Sequence, residues 1–455
     1  MGLALTICYL VLAYLSPAAL APSLASYHIQ VVMAALALFT SFPAFFRSGI
    51  TRQPSLYCLA IFFCMVGISS TANSGVRAGL SVVEQFSSSC VIFILIVANC
   101  NTLRRVRVIG AVIVALTIYF VFRGAVAYWH NAPFLSSPFL LHQGSSEVYI
   151  PRIRGLGFIN DPNDFAQAIV CCIPLLWLWR KPNYKLSNLI AIYLPLSALL
   201  MGAYLTHSRG GLIALGVLLV LALRKWLGMA FSLIAAVGVA AGMMLLNFTG
   251  GRDISAETGA GRLEAWSAGL RFARDSPIWG IGYGRFPDHY PITAHNSFVL
   301  CIAEIGFLGY FFWMALIVAV VLGARIILRD RGEAVYREEI CTLEPDSTTL
   351  IQPTGWFSSE ATNQTEPAEE VRRDLRLSLV SLAGFLSAAW FLSRAYTLPL
   401  YMILGIVNAL TLLALRRDNN LKAPTVSVIV KYTVGAGLLI ITVIYIILRL
   451  HWGYQ

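Results

Sequence analysis

Residues 291–313 read PITAHNSFVLCIAEIGFLGYFFW, an apolar run that opens on His295-Asn296-Ser297 and carries Glu304 two to three turns further in. The run continues to residue 323, and about 20 helical residues already cross the roughly 30 Å of a bilayer's hydrocarbon core. A lipid-facing helix has no use for a histidine at its mouth or a carboxyl group in its interior. Ionisable groups at that depth are costly and mark a pathway, a partner or a reaction. The stretch therefore reads as a membrane crossing with polar chemistry at one end.

The rest of the chain is built the same way. Of its 455 residues 58% are hydrophobic and 12% charged, which excludes a soluble globular protein. Apolar runs recur at 3–22, 28–46, 55–72, 78–98, 107–127, 158–179, 188–206, 210–223, 226–246, 296–323, 377–393, 396–415 and 427–448. They predict an all-α, polytopic integral membrane protein of about 12–13 transmembrane helices. The first half of 78–98, AGLSVVEQFSSSC, is polar enough to lie at an interface, and 210–223 is short enough to be tilted or broken. The first run lacks a basic region and a cleavage site, so it reads as a retained helix.

Lys and Arg in short loops stay on the cytoplasmic side. The clusters Arg47/Arg52, Arg104/Arg105/Arg107, Arg180/Lys181/Lys185, Arg224/Lys225, Arg325/Arg329/Arg331 and Arg416/Arg417/Lys422 fall at every second break if the N-terminus is inside. The alternate breaks are nearly uncharged, with isolated Arg77 and Arg394. The expected organisation is N-terminal helices in 1–127, an outward loop at 128–157, central helices in 158–246, an outward catalytic loop at 247–295, a helix at 296–323, an inward polar loop at 324–376 and C-terminal helices in 377–455. The net charge of +11 is largely this inner-rim bias. It is no nucleic-acid signal, since no zinc-finger spacing, helix-turn-helix pattern or aromatic-interleaved basic patch accompanies it. The nine cysteines lie mostly in or beside apolar runs and read as small hydrophobes; seven histidines match no metal spacing.

The improbable residues collect on the outward side. Ahead of the sixth run stands PRIRGLGFINDPNDFA, with Arg152 and Arg154 outside and Asp161-Pro162-Asn163 at the helix start. Asp161 and Asn163 read either as caps for unpaired amides or as polar groups in a water-filled cavity. Arg152 and Arg154 serve topology or phosphate binding. The turn THSRGG places Ser208 and Arg209 between two runs, where a guanidinium is either a headgroup contact or an anion clamp. Positions 262–274 form an amphipathic helix with Leu263, Trp266, Leu270 and Ala273 on one face and Arg262 near its start, as a cap over a cavity. His295 is a helix-start histidine or a proton acceptor, imidazole being the side chain whose ordinary pKa suits proton removal near neutrality. Asn296 stands beside it, and Glu304 is a buried partner for an arginine or part of the same site. His207 and His289 are also outward but less well placed.

The combination RGLGFINDPNDFA, THSRGG, TGAGRLEAW followed by SPIWGIGYG, and AHNSFVLCIAEIGFLG resembles the O-antigen ligase and polymerase superfamily, over roughly residues 60–415 and most closely over 152–323. The resemblance implies an enzyme of the bacterial cell inner membrane, active on its periplasmic face in polysaccharide or lipopolysaccharide biosynthesis. It implies an inverting, metal-independent glycosyltransferase without cofactors, moving a glycan from undecaprenyl pyrophosphate to a lipid, glycan or protein hydroxyl. Carried over residue by residue, the family's catalytic histidine falls on His295 and its two arginines on Arg209 and Arg262. Arg152, Arg154, Asp161, Asn163, Ser208, Asn296 and Glu304 are then expected around the substrate. Ligase, repeat-unit polymerase and protein O-glycosylation ligase differ in the acceptor, which the residues do not name. A transporter of the same lipid-linked glycans is the non-enzymatic alternative, though the paired broken helices of inverted repeats are not evident. The last run, 427–448, and the long inward loop depart from the family's usual pattern.

Overall fold

Inside hydrocarbon every backbone amide and carbonyl must be paired within its own segment, so the apolar runs have one way to fold. The computed structural model describes all residues except 48, 131–136, 144–149, 246–255, 330–367, 419–420 and 453–455. The larger helices among the described residues are α1 (Gly2–Leu15), α2 (Ile29–Arg47), α3 (Pro54–Ser74), α4 (Val76–Asn99), α5 (Leu103–Trp129), α6 (Pro162–Leu176), α7 (Lys185–Leu205), α8 (Arg209–Leu245), α9 (Ala256–Asp275), α10 (Ser297–Arg329), α11 (Ala368–Ala389), α12 (Leu398–Arg417) and α13 (Val426–Trp452).

Among the described residues ten helices are long and apolar enough to cross a membrane. The chain is an all-α polytopic membrane protein, as its apolar runs predict. At 15 residues α6 is shorter than a full span, and α11 opens on Glu369 and Glu370. Within α8 the chain leaves helical geometry at Gly228 (φ 74°, ψ 173°), and a Cβ built on Gly216 of one arm would lie 3.9 Å from that of Ala236 on the other. The runs 210–223 and 226–246 are thus two arms that lie side by side. With these arms taken separately and α6 and α11 included, each of the thirteen apolar runs falls on a helix.

The central post is α12, 94% of whose apolar window is buried, whereas α8 and α13 bury 17% and 22% and present broad apolar faces outward. α4, α10 and α11 pack on the post, α3 packs on α4 and α10, α11 packs also on α6 and α8, and α9 lies on α10. Small and polar groups join neighbours where apolar contact alone gives little drive in lipid. Asn99 of α4 donates to Thr6 of α1 (3.2 Å) and Ser41 of α2 (2.8 Å). At the bundle end holding the expected inner clusters, Arg107 binds Glu370 (2.6 Å) and the fully buried Asp374 (2.8 Å), tying α5 to α11.

Three local features differ from the sequence expectation. Part of the loop 128–157 is a hairpin, with β1 (Leu140–Gln143) antiparallel to β2 (Ile150–Ile153), Leu140 opposite Ile153. The amphipathic helix starts earlier, at Ala256, while ending as anticipated at Asp275. Most of the inward loop, 330–367, lies outside the described residues; its flanks are the helical end of α10 and start of α11.

The third difference is mechanical. The run 296–323 is two helices joined at Gly306, whose φ of 72° and ψ of −178° break the ladder after Ile305. A kink of that kind frees amides and carbonyls inside the bundle, which must find other partners. They find the glycine-rich turn after α9. Ile281 N donates to Ala303 O (3.0 Å), Gly282 N to Glu304 O (2.9 Å), and Phe307 N to Pro277 O (2.7 Å). Backbone thus packs on backbone, and only glycine fits at the contact: a Cβ on Gly306 would lie 2.4 Å from Ile278 O.

Candidate functional site

Two helix starts frame the site. Asp161 caps α6 by accepting from Asn163 N (2.8 Å), and Asn296 caps α10 by accepting from Phe298 N (2.9 Å) and Val299 N (3.1 Å). The capping reading is therefore seen for Asp161 and not for Asn163, which lies inside α6, while Asn296 takes a capping role that the sequence reading did not give it. For Asp161 the cavity reading holds beside it. His295, immediately before the α10 cap, sits at φ 48°, in the left-handed region that non-glycine residues seldom occupy. That turn puts its imidazole on a cavity of about 430 Å³ lined also by Asp161, Asn163, Asp164, Glu304, Arg394, Tyr283 and Tyr396.

Arg394 was legible in the sequence only as an isolated loop charge. Here its Nε donates to Asp164 Oδ1 across the cavity wall, and its own amide donates to Ser297 Oγ (2.8 Å). Ser297 Oγ in turn donates to Leu392 O (2.6 Å), and Thr293 Oγ1 to Ser393 Oγ (2.8 Å). The α11–α12 loop is thereby bolted to the His295 turn. Burial works against the charge of Arg394, but Asp164 and then Asp161 together outweigh it and hold the guanidinium more firmly protonated than usual. One carboxylate oxygen of Asp164 and one of Glu304, both buried, have no hydrogen-bond partner among the described residues. Glu304's other oxygen accepts from Phe286 N (3.2 Å).

The remaining expected residues surround this cavity without all lining it. Arg209 and Arg262 are not in its lining; Arg262 lies close enough to His295, and Arg209 close enough to Arg262, for their charges to act on one another. Burial, and next the nearby Arg209, make Arg262 harder to protonate than a free guanidinium, so two like charges are held close enough to repel. Burial first, then Arg262 and Arg394, lower the His295 pKa below its ordinary value, against the opposing pull of Asp161. The imidazole is thus kept neutral and able to accept a proton at neutral pH. Asn163 Oδ1 accepts from both Ser208 Oγ (2.9 Å) and Arg152 (3.0 Å), which joins the α7–α8 turn to the start of α6. Arg152 is 2% exposed and also donates to Thr206 O (2.8 Å), so it braces the scaffold from behind. Arg154 is taken up by Pro138 O (3.1 Å) and Asn160 O (3.3 Å) on the loop. His207 lies against Tyr204 and Tyr128, and His289 against Phe272; neither reaches the cavity.

Arg394, Asp164, Tyr283 and Tyr396 are the participants that sequence reasoning left out. Burial and Glu304 push the Tyr283 hydroxyl up to about 12, so it is a donor at any physiological pH. A signal for Arg394 did exist: an arginine between two apolar runs on the side that the positive-inside trend leaves uncharged needs a partner. Its partner, 230 positions earlier, carried no such mark.

Residues 194–314 match the family model described as O-antigen ligase, a segment that contains His207, Arg209, Arg262, His295 and Glu304. No curated protein matches the chain.

Proposed function

By residues 194–314 the chain belongs to the O-antigen ligase superfamily, and on that premise we propose that it transfers a glycan from undecaprenyl pyrophosphate to an acceptor hydroxyl. The reaction is inverting and needs no metal. It takes place on the periplasmic face of the bacterial inner membrane. The observation that carries the reading is one imidazole, held neutral, on a cavity that Arg394 also lines, with Arg262 close enough to act on the imidazole and Arg209 close enough to act on Arg262.

In this reaction the acceptor oxygen attacks the anomeric carbon as His295 takes its proton, and the bond from that carbon to the pyrophosphate oxygen breaks. The negative charge that develops on the leaving pyrophosphate falls to Arg209 and Arg262. Their mutual repulsion is relieved when an anion lies between them, so the site is arranged in advance for the charge of the transition state. Arg394 adds positive potential beside the histidine, and Asp164 fixes its direction. Pyrophosphate is a stabilised leaving group, so paired guanidiniums supply the neutralisation required. Asn163 and Ser208 hold the α7–α8 turn that presents Arg209, and Asp161 and Asn296 fix the two helix starts.

The test uses the full-length protein and His295→Ala in nanodiscs, matched for thermal unfolding midpoint. Both are given undecaprenyl-pyrophosphate-linked oligosaccharide and a panel of lipid A core, free repeat-unit and peptide acceptors. Transfer to one acceptor, slowed by about 10²–10⁴-fold in the variant, is the expected result; the acceptor used separates ligase, polymerase and protein O-glycosylation ligase. Equal rates in the two proteins refute the role of His295. Movement of the lipid-linked glycan across the bilayer without transfer refutes the enzyme reading in favour of a transporter.

A further inference from the structure

A second cavity, of about 250 Å³, lies on the other side of Tyr283, Tyr396 and Thr397, which line both. The two tyrosine rings, with centroids 4.7 Å apart, form part of the wall between them. The chemistry of the two sides differs sharply. The first cavity is lined by Asp161, Asp164, His295, Glu304 and Arg394; the second has no Asp, Glu, His, Lys or Arg. Its polar lining is Ser16, Gln30, Gln85, Ser88, Ser89 and Thr397, with Phe158 beside them.

This lining explains the polar first half of α4, polar enough in sequence to lie at an interface. The segment is instead a continuous part of a helix that packs within the bundle, and Gln85, Ser88 and Ser89 turn their side to the cavity. Ser88 Oγ donates to its own helix at Gln85 O (3.2 Å) and Ser89 Oγ to Tyr396 O (3.0 Å), so both hydroxyl oxygens keep lone pairs to accept a further bond. Gln85 and Gln30 bring amides that both donate and accept. A diphosphate would demand cations here, and a polyprenyl chain an apolar wall. Neutral groups that donate and accept, set between aromatic rings, suit a ligand with many hydroxyls on an apolar ring. The volume is below the ~300–1,000 Å³ typical of drug-sized sites, which suits one ring and not a lipid chain.

We propose that this second cavity is a pyranose subsite, which holds the sugar ring next to the bond being made, with Gln85, Gln30 and Ser88 reading its hydroxyls and Tyr283, Tyr396 and Phe158 covering its faces. The inference rests on the glycosyl-transfer reading. The ring belongs to the donor glycan or to the acceptor glycan, and the two sources leave different kinetic marks.

The test compares full-length wild type with Gln85→Leu, which keeps the side chain's approximate size, and with Ser88→Ala, all in nanodiscs and matched for unfolding midpoint. Loss of a hydrogen bond to a neutral ligand group is expected to raise a KM by about three- to tenfold with kcat within twofold. A raised KM for undecaprenyl-pyrophosphate-linked oligosaccharide, with unchanged binding of undecaprenyl pyrophosphate itself, assigns the ring to the donor. A raised KM for a glycan acceptor alone assigns it to the acceptor. Both KM values within twofold of wild type in both variants overturn the subsite. Direct binding of the free oligosaccharide, followed by saturation-transfer NMR, keeps the two readings apart. If wild type transfers nothing, the functional reading fails, yet free oligosaccharide bound by wild type and lost in Gln85→Leu still supports the subsite, and equal signals refute it.

Discussion

Gly280→Ala and Gly284→Ala present the same backbone problem and different steric ones. Both glycines sit in the left-handed region, at φ 66° and 73°, where an L-residue costs roughly 1–2 kcal/mol. A Cβ on Gly284 meets nothing within 4 Å, whereas one on Gly280 would lie 2.4 Å from the carbonyl carbon and oxygen of Glu304 and 2.6 Å from Ala303 O. Neither neighbour is the loose end of a side chain. Both are backbone at the end of the first half of α10, so the turn must lift away from the break. Lifting it opens the bonds from Ile281 N to Ala303 O and from Gly282 N to Glu304 O. At about 1–3 kcal/mol for each buried polar group left unpaired, two such losses put Gly280→Ala about 2–6 kcal/mol below Gly284→Ala. The same displacement shifts Glu304 and the His295 cavity, so turnover falls in Gly280→Ala and is largely kept in Gly284→Ala. Denaturant titration in mixed micelles measures the first difference and glycan transfer the second. Equal unfolding free energies for the two variants would refute the docking of the glycine-rich turn into the broken helix.

Because burial and the two arginines lower the His295 pKa, the imidazole stays deprotonated to a pH below its ordinary value of about 6.5. The acid limb of kcat/KM therefore inflects below that value, and Arg262→Gln, which removes a positive neighbour, moves the inflection upward; a limb at or above 6.5 in wild type contradicts the assignment. Arg209→Gln and Arg262→Gln are each expected to lower kcat by about 10²–10³-fold, the range for losing one preorganised donor to developing charge, as read in the same transfer assay. Arg394→Gln leaves the 4%-exposed Asp164 without its cation. Breaking a fully buried pair costs about 3–5 kcal/mol, and with Arg394 35% exposed the loss is about 1–3 kcal/mol. Adding Asp164→Asn should recover the unfolding midpoint but not the activity, and recovery of both would make the pair purely structural.

Much of the fold is written in local chemistry. Each apolar run is a helix or an arm of one, since length and hydropathy are properties of a segment alone and lipid leaves the backbone no other way to satisfy itself. One helix start is equally local: Asp161 caps the helix that follows it, as its residue type and position suggest. The amphipathic helix shows in the spacing of 262–274, and on its expected face Trp266 and Ala273 are buried and Leu263 and Leu270 partly so.

Which polar residues meet is a different kind of property. His295, Asp161 and Glu304 share a cavity, but the residue that completes it, Arg394, comes from a loop about a hundred positions later, and its significance depends on Asp164 standing opposite. Arg152 resembles its neighbour Arg154 in every sequence respect, yet one is sealed behind Asn163 and the other lies on the loop surface. Gly306 reads as an ordinary small residue of a transmembrane helix. Only the partner segment Pro277–Gly282 makes a break there affordable, by pairing the backbone groups that the break exposes. The sequence by itself determined where the apolar helices lie, because that follows from apolar length within each segment, and the start of α6, because Asp161 caps it locally. Only the tertiary structure decided the break in α10, the Arg394–Asp164 pair and the two cavities, because each depends on groups brought together from distant segments.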